Sequence, residues 1–354
     1  MTWVGLRDPV DRLFRPAGLT SPAGGAALAA LMPTGTLLIE WTHDPAEMRQ
    51  IILHYAVRDP WPAGLTLALD PDGHLHLTTT QQDQTRAVTL ALGPLDPGAC
   101  LIIGYAWDAP TRLGWLSVWQ PDSARLAMLA VPAPLPLFQR DGARMMTDDR
   151  ACQTGPGLVF AALADRMMPV GPMPGLSGGA AVAVPGGGQR ALMALEVGDP
   201  VLTVEGRLAR VAWAGHLTLP ARGRFQPLFL RAPYLGLRAD VLVAPDQQLR
   251  LTGTDIEYLF ASEEVSVAAR HLIDARAVIR VPDLAVMTWH QVMLDRPGAL
   301  VVSGLAVDPF APLRLADAPP GCLMGPSGAL RLVDHGPPVL RPYEALTLRR
   351  LRAA

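Results

Sequence analysis

Glycine and proline interrupt this chain so often that long helices are excluded: 33 glycines and 35 prolines make up nearly a fifth of its 354 residues. Each proline removes a backbone donor and fixes φ, and each glycine favours a turn over a regular interior. Elements must therefore be short and numerous, which suits turn-rich β structure. Half of the residues are apolar, enough to bury more than one core, so two domains with connecting segments are expected. The expected fold class is mainly all-β with few short helices.

Charge and residue choice exclude several classes of chemistry. A net charge of −2 gives no footprint for nucleic acid or an anionic membrane surface. All 30 basic residues are arginine, which removes Schiff-base lysine chemistry and a phosphate loop ending in lysine. Cys100, Cys152 and Cys322 lie far apart without a C-x-x-C pair, so neither a zinc knuckle nor a disulfide framework is legible. No cofactor and no metal is expected. Arg7, Asp8, Asp11, Arg12 and Arg15 break the opening stretch where a secretion signal would need an unbroken apolar core. The longest charge-free runs, 16–39 and 167–189, are broken by Pro, Gly, Ser and Thr too often to span a bilayer. The expectation is a soluble chain, either cytoplasmic or exported without a cleaved signal.

From residue 34 onward, runs rich in Leu, Ile, Val and Thr alternate with polar residues and stop at turn signals, the pattern of half-buried antiparallel strands. The clearest pair, 65–69 and 74–78, flanks Asp70-Pro71-Asp72-Gly73, where proline presets φ and glycine closes the turn. A second pair, 115–120 and 125–131, flanks Pro121-Asp122-Ser123, and 87–92 and 99–106 supply further strands. This spacing predicts a β-sandwich over 1–135, with a lectin-like jelly roll at 25–135. His74 and His76 share a strand face without a third metal ligand and read as a solvated polar face. Asp70-x-Asp-Gly imitates the start of a calcium loop but lacks the later carboxylates and flanking helices, so it reads as a turn. Trp41, Trp61, Trp107, Trp115 and Trp119 offer either a sugar-stacking platform or, more plainly, a sandwich core.

Residues 136–173 change character and read as a linker. A short helix is expected over 158–166, where the apolar positions and an Ala pair fit a helical period and Pro169, Pro172 and Pro174 end it. The last segment, 313–354, reads as a tail whose helical end docks on the body. Arg349, Arg350 and Arg352 are expected there as solvated charges, since three cations give little phosphate affinity.

From Gly175 the chain runs Gly-Leu-Ser-Gly-Gly, then through two short strands to Glu196-Val-Gly-Asp199-Pro-Val-Leu-Thr203, Glu205-Gly206 and Val211-Ala-Trp213-Ala-Gly215. Further on come Leu242-Val243-Ala244-Pro245-Asp246-Gln247, Glu263-Glu264-Val265, Ala269-Arg-His-Leu272 and Trp289-His290-Gln-Val-Met-Leu-Asp295-Arg296. In this order the segments resemble the Hint domain, the self-processing module of hedgehog proteins and inteins, and are closest to its bacterial version. The resemblance spans about residues 174–312 and implies a compact β horseshoe with self-cleavage as the ancestral activity.

That activity begins when a Cys or Ser at the domain's first residue attacks the preceding carbonyl, turning a peptide bond into a thioester or ester. It needs a histidine to protonate the departing nitrogen and groups that orient the scissile bond. The resemblance puts Gly175 at the nucleophile position, Ala244 at the Ser/Thr position, Gln247 at the histidine position and Pro297 at the late histidine. Only His290 and Asp295 remain of the expected groups. Flanked by Trp289 and Val292 on an expected strand, His290 reads as a hydrogen-bonded core residue. The residues therefore predict a catalytically silent copy.

Two rescues compete with that reading. Ser177 lies two positions past the expected nucleophile, but such a slip moves the attacking atom ~7 Å along a strand, away from any partner set for the old position. Gly175-Leu-Ser177-Gly-Gly179 also satisfies G-x-S-x-G, with Asp240 and His290 following in Ser, Asp, His order. A hydrolase elbow requires a strand before the serine and a helix after it, whereas prolines precede this one and a short Ala/Val run follows. The non-enzyme alternative is a two-domain scaffold that binds a glycan or a protein partner.

Overall fold

The computed structural model describes residues 2–22, 29–45, 48–311, 324–325 and 336–353; Cys322 and the hydrophobic run 330–333 lie outside them. The chain divides into two compact units, parting at Gly171/Pro172. Among the described residues no helix is long and apolar enough to cross a membrane.

The first unit begins with β1 (Trp3–Arg7), β2 (Arg12–Phe14), β3 (Leu31–Met32), β4 (Thr34–Thr42) and β5 (Gln50–Val57). There follow β6 (Ala63–Leu69), β7 (His74–Gln81), β8 (Gln84–Ala91), β9 (Cys100–Asp108), β10 (Leu113–Gln120) and β11 (Arg125–Ala130). It ends with β12 (Leu137–Phe138), α1 (Gln139–Thr147), β13 (Cys152–Thr154) and β14 (Leu158–Ala164). A seven-stranded sheet, β11-β10-β9-β4-β14-β1-β2, faces a five-stranded one, β13-β5-β6-β7-β8, and every pairing is antiparallel. Inward side chains of both sheets, among them Ile39, Trp41, Ile103 and Trp107 against Leu53, Leu65, Leu67 and Leu77, form one core. This is a β-sandwich, as the alternating runs predict.

Both expected hairpins form, β6/β7 and β10/β11. At the first, Gly73 sits at φ +81°, and a Cβ there would lie 1.9 Å from the Gly93 carbonyl oxygen. Gly73→Ala is expected to cost about 1–2 kcal/mol, read as a lower urea midpoint; an unchanged midpoint would mean the two loops part freely.

The expected helix at 158–166 is instead β14, inserted between β4 and β1. A seven-residue apolar run fits either form, and here the unpaired edges of two strands decide it. The helix of this region falls at α1. Nor are residues 165–171 a free connection. The Thr36 hydroxyl donates to the Arg166 carbonyl at 2.9 Å and accepts the Met168 N–H at 2.8 Å. Met167 packs with Ala106 and Trp115 on the outer side of the sheet.

In the second unit come β15 (Ala181–Ala183), β16 (Gln189–Ala191), β17 (Pro200–Leu202), β18 (Leu208–Pro220), β19 (Leu228–Leu230), β20 (Val241–Val243) and β21 (Gln248–Thr252). They are followed by α2 (Thr254–Phe260), β22 (Glu264–Ala268), β23 (Val278–Arg280), β24 (Val286–Leu294), β25 (Leu300–Val302), β26 (Leu305–Val307) and α3 (Pro342–Ala353). Three antiparallel sheets result: β16-β15-β25-β26-β21-β22, β17-β18-β24 and β20-β19-β23. They share a core of short aliphatic side chains such as Val182, Leu228, Val243, Leu249, Val267 and Val302. The tail helix α3 buries Ala345 and Leu348 in this core. Its arginines are not all solvated: Arg352 pairs with Asp255 at 2.6 Å, and Arg349 donates to the Ile273 carbonyl.

Candidate functional site

Residues 174–177 run as an extra strand between β20 and β24. The Leu176 and His290 backbones exchange hydrogen bonds at 3.1 and 2.9 Å, Ser177 N–H donates to the Leu242 carbonyl at 2.9 Å, and Ala244 N–H donates to the Gly175 carbonyl at 2.8 Å. This double pairing buries Leu176 and Gly175 and leaves Ser177 half-buried. The Pro174 carbonyl, the bond a nucleophile at 175 would attack, accepts from the side-chain amide of Gln291.

Position 175 has no room for a side chain. A Cβ on Gly175 would lie 2.6 Å from the Trp289 Cβ and 3.3 Å from its Cγ. Because Cβ is fixed by the backbone, no rotamer of Trp289 relieves the contact. Gln247 is 5% exposed, and its amide donates to the backbone carbonyls of Gln248 at 3.2 Å and Asp308 at 2.9 Å. It ties strands together at the position where the resemblance leads one to expect a proton donor. Ala244 is buried, and Pro297 is exposed on the rim of a cleft of about 590 Å³ that Pro174, Gln247 and Phe310 also line. Between Leu176, Gln247, His290, Gln291 and Asp308 the free space is only about 10 Å³, no more than one water's worth.

His290 is half-buried, and its side chain makes no hydrogen bond among the described residues, unlike the bonded core residue expected. Its ring faces His216 across β18/β24, centroids 5.6 Å apart and planes at 30°. Burial, and then the neighbouring His216, hold the imidazole below its ordinary range, so it is neutral at pH 7. Asp295 accepts the Arg210 N–H at 2.9 Å and returns its own N–H to the Arg210 carbonyl at 2.9 Å, pinning the end of β24 to β18. It is a structural clamp. The Asp240 carboxylate is taken by the Ala232 N–H at 2.7 Å, and the chain after Ser177 enters β15, not a helix. The serine hydrolase constellation is therefore not assembled.

The Arg210 N–H bond holds the Asp295 carboxyl below its ordinary 3.8. A carboxyl depressed in the folded state contributes stability that is full above its unfolded value and lost as pH falls through the folded one. Asp295→Asn is expected to lower the urea midpoint at pH 7 and to flatten its decline below pH 4. Parallel acid limbs in parent and variant would show that the bond contributes nothing.

In the first unit Trp41, Trp107, Trp115 and Trp119 are all buried, while Trp61 carries Arg140 over its ring at 4.0 Å. Among the described residues of this unit no tryptophan ring lies open on the sheet surface. His76 bonds Asp70 at 2.6 Å and Thr89 at 2.9 Å, and His74 meets Asp72 at 3.1 Å, so the histidines of β7 are held by the hairpin's own carboxylates.

Sequence reasoning missed Gln291, His216 and the buried Arg250. Arg250, 7% exposed on β21, meets Asp308 at 2.5 Å, Glu264 at 3.4 Å and Glu205 at 3.6 Å, while Ser266 donates to Asp308 at 2.7 Å. These partners lie up to 58 residues away in sequence, and no local pattern announces them.

A family model described as the Hint domain matches residues 174–314. No curated protein matches the chain. Among solved structures, the MchDnaB-1 intein is similar at 15% identity over 37% of this chain and 98% of that one, with a TM-score of 0.27. The CBM40 of Ruminococcus gnavus IT-sialidase, bound to alpha2,3 sialyllactose, is similar at 12% identity over 37% and 62%, with a TM-score of 0.24. The LG1-3 region of the laminin alpha2 chain is similar at 11% identity over 82% and 57%, with a TM-score of 0.27. At such scores these likenesses bear on no chemistry. The segment match, together with the ordered motifs, places residues 174–314 of this chain in the Hint domain family.

Proposed function

We propose that this Hint domain no longer performs the acyl shift and persists as a folded scaffold. The observation that carries the reading is the 2.6 Å approach of Trp289 to the Cβ position of Gly175, which leaves no space for a nucleophile. Gln247 supports it, because its amide is fixed on two carbonyls where a proton donor is needed. Fold does not carry activity once the reacting groups are gone. The test is intact mass and gel analysis of the full chain during incubation with and without dithiothreitol or hydroxylamine. A single 37.8 kDa species is expected throughout. Fragments ending near Pro174 or Leu176 would overturn the reading and point to Ser177.

For the first unit we propose recognition of a protein or glycan partner by the outer face of the five-stranded sheet. His54 bonds Thr66 there at 2.9 Å and His76 bonds Thr89, which orders polar side chains on that face. Partner capture or glycan-array binding that survives His54→Ala combined with Thr66→Ala would remove that face from consideration.

A further inference from the structure

Near the middle of the long β18/β24 ladder two histidines face each other, and Met193, from a separate turn, lies beside one of them. His216 and His290 stand directly opposite each other in the register, their rings 5.6 Å apart. Next to them the chain crosses at Gly178, whose missing Cβ would touch both neighbours: 2.8 Å to His290 Nε2 and 3.0 Å to the Met193 Cβ. The Gly178 carbonyl accepts the Met193 N–H at 2.9 Å, which fixes the methionine backbone beside the imidazole. Met193 is 66% exposed, and His216 is exposed as well.

We propose that His216, His290 and Met193 bind a soft monovalent transition ion, with Cu(I) as the fitting case. Two imidazoles and a thioether are a donor set that selects a soft ion of low coordination number, and the thioether has little affinity for a hard one. No three His, Cys, Asp or Glu side chains converge on a metal position anywhere among the described residues, so a harder ion lacks a third ligand here. Both histidines sit on the most extensive strand pairing of the unit, with Thr218 and Thr288 hydrogen-bonded at 2.8 Å two residues along, so the imidazoles are carried by rigid backbone. The site needs neither a nucleophile at 175 nor an acid at 247, and it stands apart from the loss of self-processing.

The test is anaerobic competition for Cu(I) against a chromophoric chelator, with the full chain carrying Cys100→Ser and Cys322→Ser as the parent. Cys152 is fully buried, and burial pushes its thiol up to about 11, so it can remain. The parent is expected to withdraw one equivalent of copper, and His216→Asn and Met193→Leu to weaken binding at least tenfold. Both residues are exposed, so neither change disturbs the fold. In a parallel Zn(II) titration Met193→Leu is expected to behave as the parent, since the thioether adds nothing for that ion. Failure of the parent to withdraw copper, or copper binding unchanged in both variants, overturns the proposal.

Discussion

Arg250→Met is expected to lower the stability of the second unit by about 3 kcal/mol, the low end of what breaking a buried ion pair costs. For a domain of this size that corresponds to a fall in melting temperature of roughly 6–12 °C. The guanidinium is 7% exposed and is shared by Asp308, Glu264 and Glu205, which retain 22%, 26% and 37% exposure. Removing it leaves three carboxylates facing one another without a cation, and partial solvation of the acids keeps the loss at the low end. Burial already pushes the Glu264 carboxyl above its ordinary range although Arg250 pulls it down. Adding Asp308→Asn to Arg250→Met should recover part of the loss, because fewer charges are stranded. Strictly additive losses in thermal melts of the two single variants and the double variant would show that the charges do not act as a group.

Gly175→Cys, the substitution that restores a nucleophile by sequence, is expected to destabilise the domain by about 3 kcal/mol without producing cleavage. The cost is overpacking against a neighbour that cannot rotate away, since the contact is with the Trp289 Cβ. Relief requires β24 to move away from residues 174–177, which would stretch the hydrogen bonds between Leu176 and His290. Adding Gln247→His leaves the space at 175 unchanged, so the pair should still yield one intact species. Urea unfolding gives the stability and intact mass after dithiothreitol gives the chemistry. A stable cysteine variant that releases a fragment would mean that only the nucleophile had been lost and that the pocket behind it survives.

Much of this architecture is legible because turn chemistry is local. Asp70-Pro71-Asp72-Gly73 and Pro121-Asp122-Ser123 announce their hairpins through proline and aspartate, with Gly73 closing the first, although the second places Ala124 at φ +51°. The Hint segment is legible because its motifs occur in order. β14 is not, since its apolar run satisfies a helix and a buried strand equally and the choice is made by β1 and β4 on either side. At the site, the glycine and the glutamine that stand where the resemblance expects a nucleophile and a histidine can be read directly as Gly175 and Gln247. The reason the nucleophile cannot simply be restored depends on Trp289, more than 100 residues away. His216 escapes for a similar cause: its partnership with His290 is a matter of strand register.

The insertion of β14 also constrains how the chain emerges from synthesis. Trp3 pairs with Ala164 and Arg7 with Ala161, so the first strand of this unit completes its pairing only when the unit's last strand has appeared. Until then β1, buried along its whole length in the finished fold, has only the short β2 to pair with. Closure across so long a loop is slow, and apolar strands waiting for it are prone to aggregation. A nascent chain stopped before residue 158 is thus expected to be a chaperone client, read as chaperone co-purification that falls off once β14 has emerged.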